Sequence, residues 1–122
     1  RGNSIAKGHN LVASLYVAFE NALLNPRLFD DAMEMKWSKL LTNLIANPTS
    51  AILDMTAAEI LANRKLYKLE VEMLRECLAV MKAQGIEVVD LPGTPVRALA
   101  FATKLPLWLS KPFLSRAAGA RK

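Results

Sequence analysis

The chain has 122 residues, of which 52% are hydrophobic and 22% charged, with a formal net charge of +5. That length suits one domain with a real core, and that composition excludes general disorder. Charges interrupt every apolar run before it reaches the roughly 18 residues of a membrane-spanning helix.

The chain begins at Arg1, and the residues after it lack a signal-peptide pattern, which points to a processed protein or a piece of something longer. Leu11 to Leu24 places Leu11, Leu15, Ala18, Phe19, Ala22 and Leu23 at helical spacing, and Asn25-Pro26 interrupts it. A second helix is expected from near Phe29 or Asp30, with Asp30 and Asp31 favourable in its first turn, ending at Asn47-Pro48. Pro48 at a first helical position, capped by Asn47, would open a third helix to about Leu53. Thr56-Ala57-Ala58-Glu59 has capping-box spacing and predicts a short helix to about Ala62. The longest element runs from about Arg64 to Gln84. Its apolar stripe is read as Leu66, Leu69, Met73, Cys77, Val80 and Met81, and Gly85 terminates it. Ile86 to Leu91 would suit a strand but has no second strand to pair with, so it reads as an extended connector. Thr94 caps a further helix with Pro95 at its first position. Pro106 and Pro112 break up the remainder of the chain, and residues 115–122 read as loosely ordered. The prediction is all-α, with six to seven helices and no internal repeat.

Lys39, Asn43 and Asn47 stand four residues apart, so on one helix each turns by roughly 40° from the last and all three line one stripe. A positive donor beside two carboxamides could hold a small carbonyl or carboxylate substrate and deliver a proton to it. The same stripe also fits an ordinary wet face, since Trp37, Leu40, Leu41, Leu44 and Ile45 fill the opposite arc. Two details favour a site. Asn is poor inside a helix, where its side chain competes for the backbone. Positions 35 and 43, at helical spacing from Lys39, are Met and Asn, so neither offers it a carboxylate.

The run from Trp37 to Ala51, Trp-x-Lys-Leu-x-x-Asn-x-x-x-Asn-Pro-x-x-Ala, resembles the signature of the ketopantoate reductase C-terminal domain. An amphipathic helix upstream, Phe29-Asp30-Asp31, a long glutamate-bearing helix and the Gly85-Ile86 turn extend the likeness over most of the chain. The resemblance implies a multi-helix bundle of the 6-phosphogluconate dehydrogenase C-terminal-like kind. It implies a parent oxidoreductase of pantothenate biosynthesis that uses NADP to reduce 2-dehydropantoate (ketopantoate) to pantoate. In that family a Rossmann domain precedes the helical one and binds the cofactor; Gly2, Gly8, Gly85, Gly93 and Gly119 contain no G-x-G-x-x-G, so that half is absent here. Lys39 matches the catalytic lysine, Asn43 a residue that orients it and bonds the substrate, and Asn47 a further substrate-binding asparagine. Trp37 and Leu40 are expected to pack.

The chain also departs from the family's pattern. Met55-Thr56-Ala57 stands where the family has another substrate-side asparagine. Ser110 and Ser115 lack the aspartate and glutamate that follow the family's late serine. These departures put ketopantoate itself in doubt against other small 2-oxo acids. This stretch alone is expected to be inactive, its partners being a 2-oxo acid and the missing Rossmann domain.

The remaining candidates read as structure. His9 has no second metal ligand nearby, and no metal is expected. Cys77, the single cysteine, falls on an apolar stripe and is expected to pack; the absence of a disulfide framework suggests a reducing, cytoplasmic setting. Met33, Met35, Met55, Met73 and Met81 read as filler, and Asp30, Asp31 and Glu34 as helix-start charge. Trp108 with Leu105, Leu107, Leu109, Phe113 and Leu114 forms an apolar cluster between prolines. If exposed, it would contact the missing domain or a second copy in a homodimer. The alternative to an enzyme is a free-standing helical interaction module using that cluster and the basic end. Nucleic acid is not expected as a partner, because the basic residues are spread rather than clustered, and neither is a membrane, because no apolar run is long enough to span one.

Overall fold

The computed structural model describes residues 2–119, with side chains placed for residues 11–112 and 114. Seven helices are present among the described residues: α1 (Gly2–Asn21), α2 (Ala32–Leu44), α3 (Asn47–Leu53), α4 (Ala57–Ala62), α5 (Arg64–Ala83), α6 (Val96–Ala102) and α7 (Leu107–Gly119). The architecture is all-α; Leu91 and Thr94 form an isolated bridge. No helix among the described residues is long and apolar enough to cross a membrane.

Two compact units divide between Asp30 and Asp31. The first holds α1, which starts earlier and ends earlier than the predicted 11–24 span. It closes on Leu23, at φ 59°, as the amides of Leu23 and Leu24 donate back to the carbonyls of Glu20 and Phe19, each at 3.0 Å. This is the crossed pair of bonds of a left-handed helix end, with leucine in the position glycine usually takes. Leu11, Leu15 and Phe19 remain exposed.

The second unit packs its helices around Leu41, Ile45, Ile60, Leu61, Tyr67, Val71, Leu74, Met81, Val96, Leu99 and Leu114. α5 contacts α2 and α4, and α7 packs on α4 and α6. Several ends follow local chemistry. Asp31 is the cap of α2 rather than a first-turn residue, its Oδ1 accepting from the amides of Met33 (2.6 Å) and Glu34 (3.3 Å). Thr56 and Glu59 form the predicted capping box of α4. Asn63 caps α5, and Gly85, at φ +69°, closes it while Ile86 donates back to Met81 at 2.9 Å.

Other expectations are corrected. The buried face of α5 is Tyr67, Glu70, Val71, Leu74 and Met81, whereas Leu69 and Val80 are exposed. The true stripe is rotated because it admits a tyrosine and a glutamate that apolar patterning passes over. Cys77 does pack against the core, and burial pushes its thiol above the usual range. Helix α6 begins at Val96 with Pro95 as cap residue, not Thr94. The Asp90 carboxylate takes the capping role, accepting from the Arg97 amide at 2.9 Å. Thr94 instead closes a tight turn with Leu91 across Pro92 and Gly93. Pro106 bounds α7, but Pro112 lies inside it. Of the tail read as loose, residues 115–119 instead continue α7, and residues 120–122 lie outside the described residues. The apolar cluster before it is divided: Leu114 is buried and Leu107 packs on the core, while Trp108 is exposed. The side chain of Phe113 lies outside the described residues.

Candidate functional site

Helix α2 turns Ser38, Leu41 and Thr42 inward, and Trp37 and Leu44 pack against the core. Lys36, Lys39, Leu40 and Asn43 are left on its exposed side. Trp37 thus packs as expected, whereas Leu40 is 41% exposed and stands beside the lysine. Lys39 and Asn43 are one turn apart on this face.

The helix cannot easily rotate about its axis. Ser38, fully buried, accepts a hydrogen bond from the Val89 amide in the connector at 2.9 Å. Thr42 donates to the Lys39 carbonyl at 2.8 Å. Because Ser38 is pinned inward, the next residue, Lys39, is directed outward with its ammonium accessible.

Asn47 is placed differently from the sequence expectation. α2 ends at Leu44; Ile45 is extended, and Ala46 adopts φ 59°, ψ −18°. The three-residue stripe is therefore not carried by one helix. Asn47 is the first residue of α3, exposed, with Pro48 second, and it does not cap that helix. The turn into α3 is held by Glu70, 1% exposed on α5, whose Oε2 accepts from the Ala46 amide at 2.6 Å and whose Oε1 accepts from the Thr49 hydroxyl at 2.5 Å.

Sequence reasoning misses Glu70 as a member of this site. Its signal is a carboxylate in register with Tyr67, Leu74 and Met81, on a face that is otherwise apolar.

The segments that depart from the family pattern are engaged structurally. Met55 and Ala57 pack on the core, and the Thr56 hydroxyl accepts from the Glu59 amide. Ser110 is fully buried, hydrogen-bonded to the Tyr67 hydroxyl and donating to the Leu107 carbonyl, so it is not presented to a ligand. The Ser115 side chain lies outside the described residues. A shallow groove of about 300 Å³ at the C-terminal end of α5 is lined by Leu78, Met81, Lys82, Gly85, Ile86, Glu87 and Val88, and none of the three candidates borders it.

Chemically, the exposed α2 face offers an ammonium donor with a carboxamide one turn away that can donate and accept. That combination suits a carbonyl oxygen on which negative charge develops.

Neither a curated protein nor a solved structure matches the chain. A family model described as "Ketopantoate reductase PanE/ApbA C terminal" matches residues 31–104. The match opens at Asp31, the first residue of the second unit, and contains Lys39, Asn43, Asn47 and Glu70. It covers more than half of the sequence, and the chain belongs to the ketopantoate reductase family, of which it carries the C-terminal helical domain.

Proposed function

We propose that this domain forms the substrate-binding wall of an NADPH-dependent reductase of 2-oxo acids, with 2-dehydropantoate as the first candidate substrate. The observation that carries the reading is the placement of Lys39 and Asn43 on one exposed face of α2, one turn apart, with the helix pinned by Ser38. Family membership supplies the reaction class.

Gly85 and Gly93 sit at a helix end and a tight turn, neither in a phosphate loop. In this proposal NADPH belongs to a Rossmann domain and supplies hydride from there. The helical domain binds and protonates. Lys39 donates a hydrogen bond to the ketone oxygen and passes its proton there as that oxygen becomes an alkoxide. Asn43 donates to the same region of the substrate and steadies the lysine, and Asn47 hydrogen-bonds the carboxylate-bearing end.

The test is Lys39→Ala in the intact enzyme, with NADPH and 2-dehydropantoate. Loss of a positioned proton donor should lower kcat by about 10²- to 10⁴-fold. Turnover within a factor of a few, with the fold intact by circular dichroism, would overturn the assignment. Other small 2-oxo acids assayed alongside identify the preferred substrate.

A further inference from the structure

The turn between α2 and α3 is held in an unusual way, and its bearing on function rests on the substrate-site reading above. Ala46 holds a left-handed conformation that an L-residue with a Cβ rarely adopts. No side chain within α3 or next to it caps the helix, and Asn47, the local candidate, faces solvent. The turn is held from 24 residues away by Glu70, with both carboxylate oxygens engaged. Lys39 and Asn43 lie on one side of this turn and Asn47 on the other.

We propose that Glu70 is the positioning residue of the substrate site: its buried carboxylate fixes the left-handed turn at Ala46 and so sets where Asn47 stands relative to Lys39 and Asn43. Glu70 touches no substrate. It acts through backbone, by holding the angle at which α3 leaves α2. Aspartate, shorter by one methylene, draws the carboxylate back from both the Ala46 amide and the Thr49 hydroxyl. Glutamine keeps the span, its carbonyl accepting from Ala46 and its amide donating to the Thr49 oxygen.

The experiment compares Glu70→Asp, Glu70→Gln, Asn47→Ala and the Glu70→Asp/Asn47→Ala pair in the intact enzyme, measuring kcat and KM for 2-dehydropantoate and KM for NADPH. Misplacing a binding group by about 1 Å costs on the order of 10- to 100-fold in kcat/KM. For Glu70→Asp that loss should fall mainly on the KM for the oxo acid, leaving the KM for NADPH unchanged. Glu70→Gln should recover to within about threefold. Because Glu70 acts through Asn47, the pair should be no worse than Asn47→Ala alone.

A folded Glu70→Asp with unchanged KM, or a pair whose losses multiply, would overturn the proposal. Should Glu70→Asp fail to fold, Thr49→Val, which removes one of the two tethers, carries the same expectation, and an unchanged KM there overturns the proposal equally. Lys39→Ala separates the two readings. If that variant keeps its turnover, the proton-donor role falls while the Glu70–Asn47 coupling is still read on KM. If it is dead and the coupling is absent, only the role of Glu70 falls.

Discussion

The Val89 amide donates to the Ser38 hydroxyl across 51 residues of sequence, and this single bond ties the connector after α5 to the helix that presents Lys39. Ser38 has no exposed surface, and its removal leaves the half-buried Val89 amide without that acceptor. Ser38→Ala should cost about 1–2 kcal/mol. Urea unfolding checks this as a lowered midpoint with an unchanged slope. A midpoint identical to the parent's would mean that the bond does not hold α2.

The Thr56–Glu59 box makes α4 sensitive to acid. Its hydrogen bonds to the Thr56 side chain and backbone hold the Glu59 carboxyl below its ordinary 4.5, outweighing a small desolvation effect. A carboxyl depressed in the folded state adds stability that is present above the unfolded value and disappears as pH falls through the folded one. The stability gap between the parent and Glu59→Gln should therefore be widest at neutral pH and close on acidification below 4.5. Thr56→Ala, which removes the cap itself, should cost about 1 kcal/mol at neutral pH. Thermal melts across the acid range measure both.

At Gly85 the backbone alone sets the cost of substitution. A Cβ there meets nothing within 4 Å, but φ is +69°. Gly85→Ala should destabilise by about 1 kcal/mol, and Gly85→Asn by less, since asparagine tolerates the left-handed region better. Equal melting temperatures for the three proteins would show that the end of α5 rearranges freely.

What can be read from the sequence tracks the range of the forces involved. The caps at Thr56 and Gly85 are legible because cap and helix are neighbours in the chain, and Lys39 with Asn43 because they share one uninterrupted turn. The end of α2 is not. Nothing between Leu44 and Pro48 announces a left-handed alanine, since its stabilising partner is Glu70, on a helix that starts sixteen residues after Pro48. The α6 cap escapes local reasoning for a similar cause: Asp90 reaches forward over the turn to Arg97, displacing the nearer threonine. Pro112 reads as a stop because it lacks a donor and crowds the preceding turn, yet α7 runs through it, with Leu114 buried beyond.

Glu70 also has a bearing on how the bundle avoids slipping along its own axis. Leu66 and Leu74 stand one turn to either side of it on α5. Sliding α5 by a turn would put one of these leucines in the place of Glu70, and would set Arg75 in the buried seat of Val71 or, in the other direction, Glu70 in that of Leu74. It would also bring a methyl group to the Ala46 amide and the Thr49 hydroxyl, stranding two interior donors at on the order of 1–3 kcal/mol each. Oily packing and one acidic side chain thus select the same register.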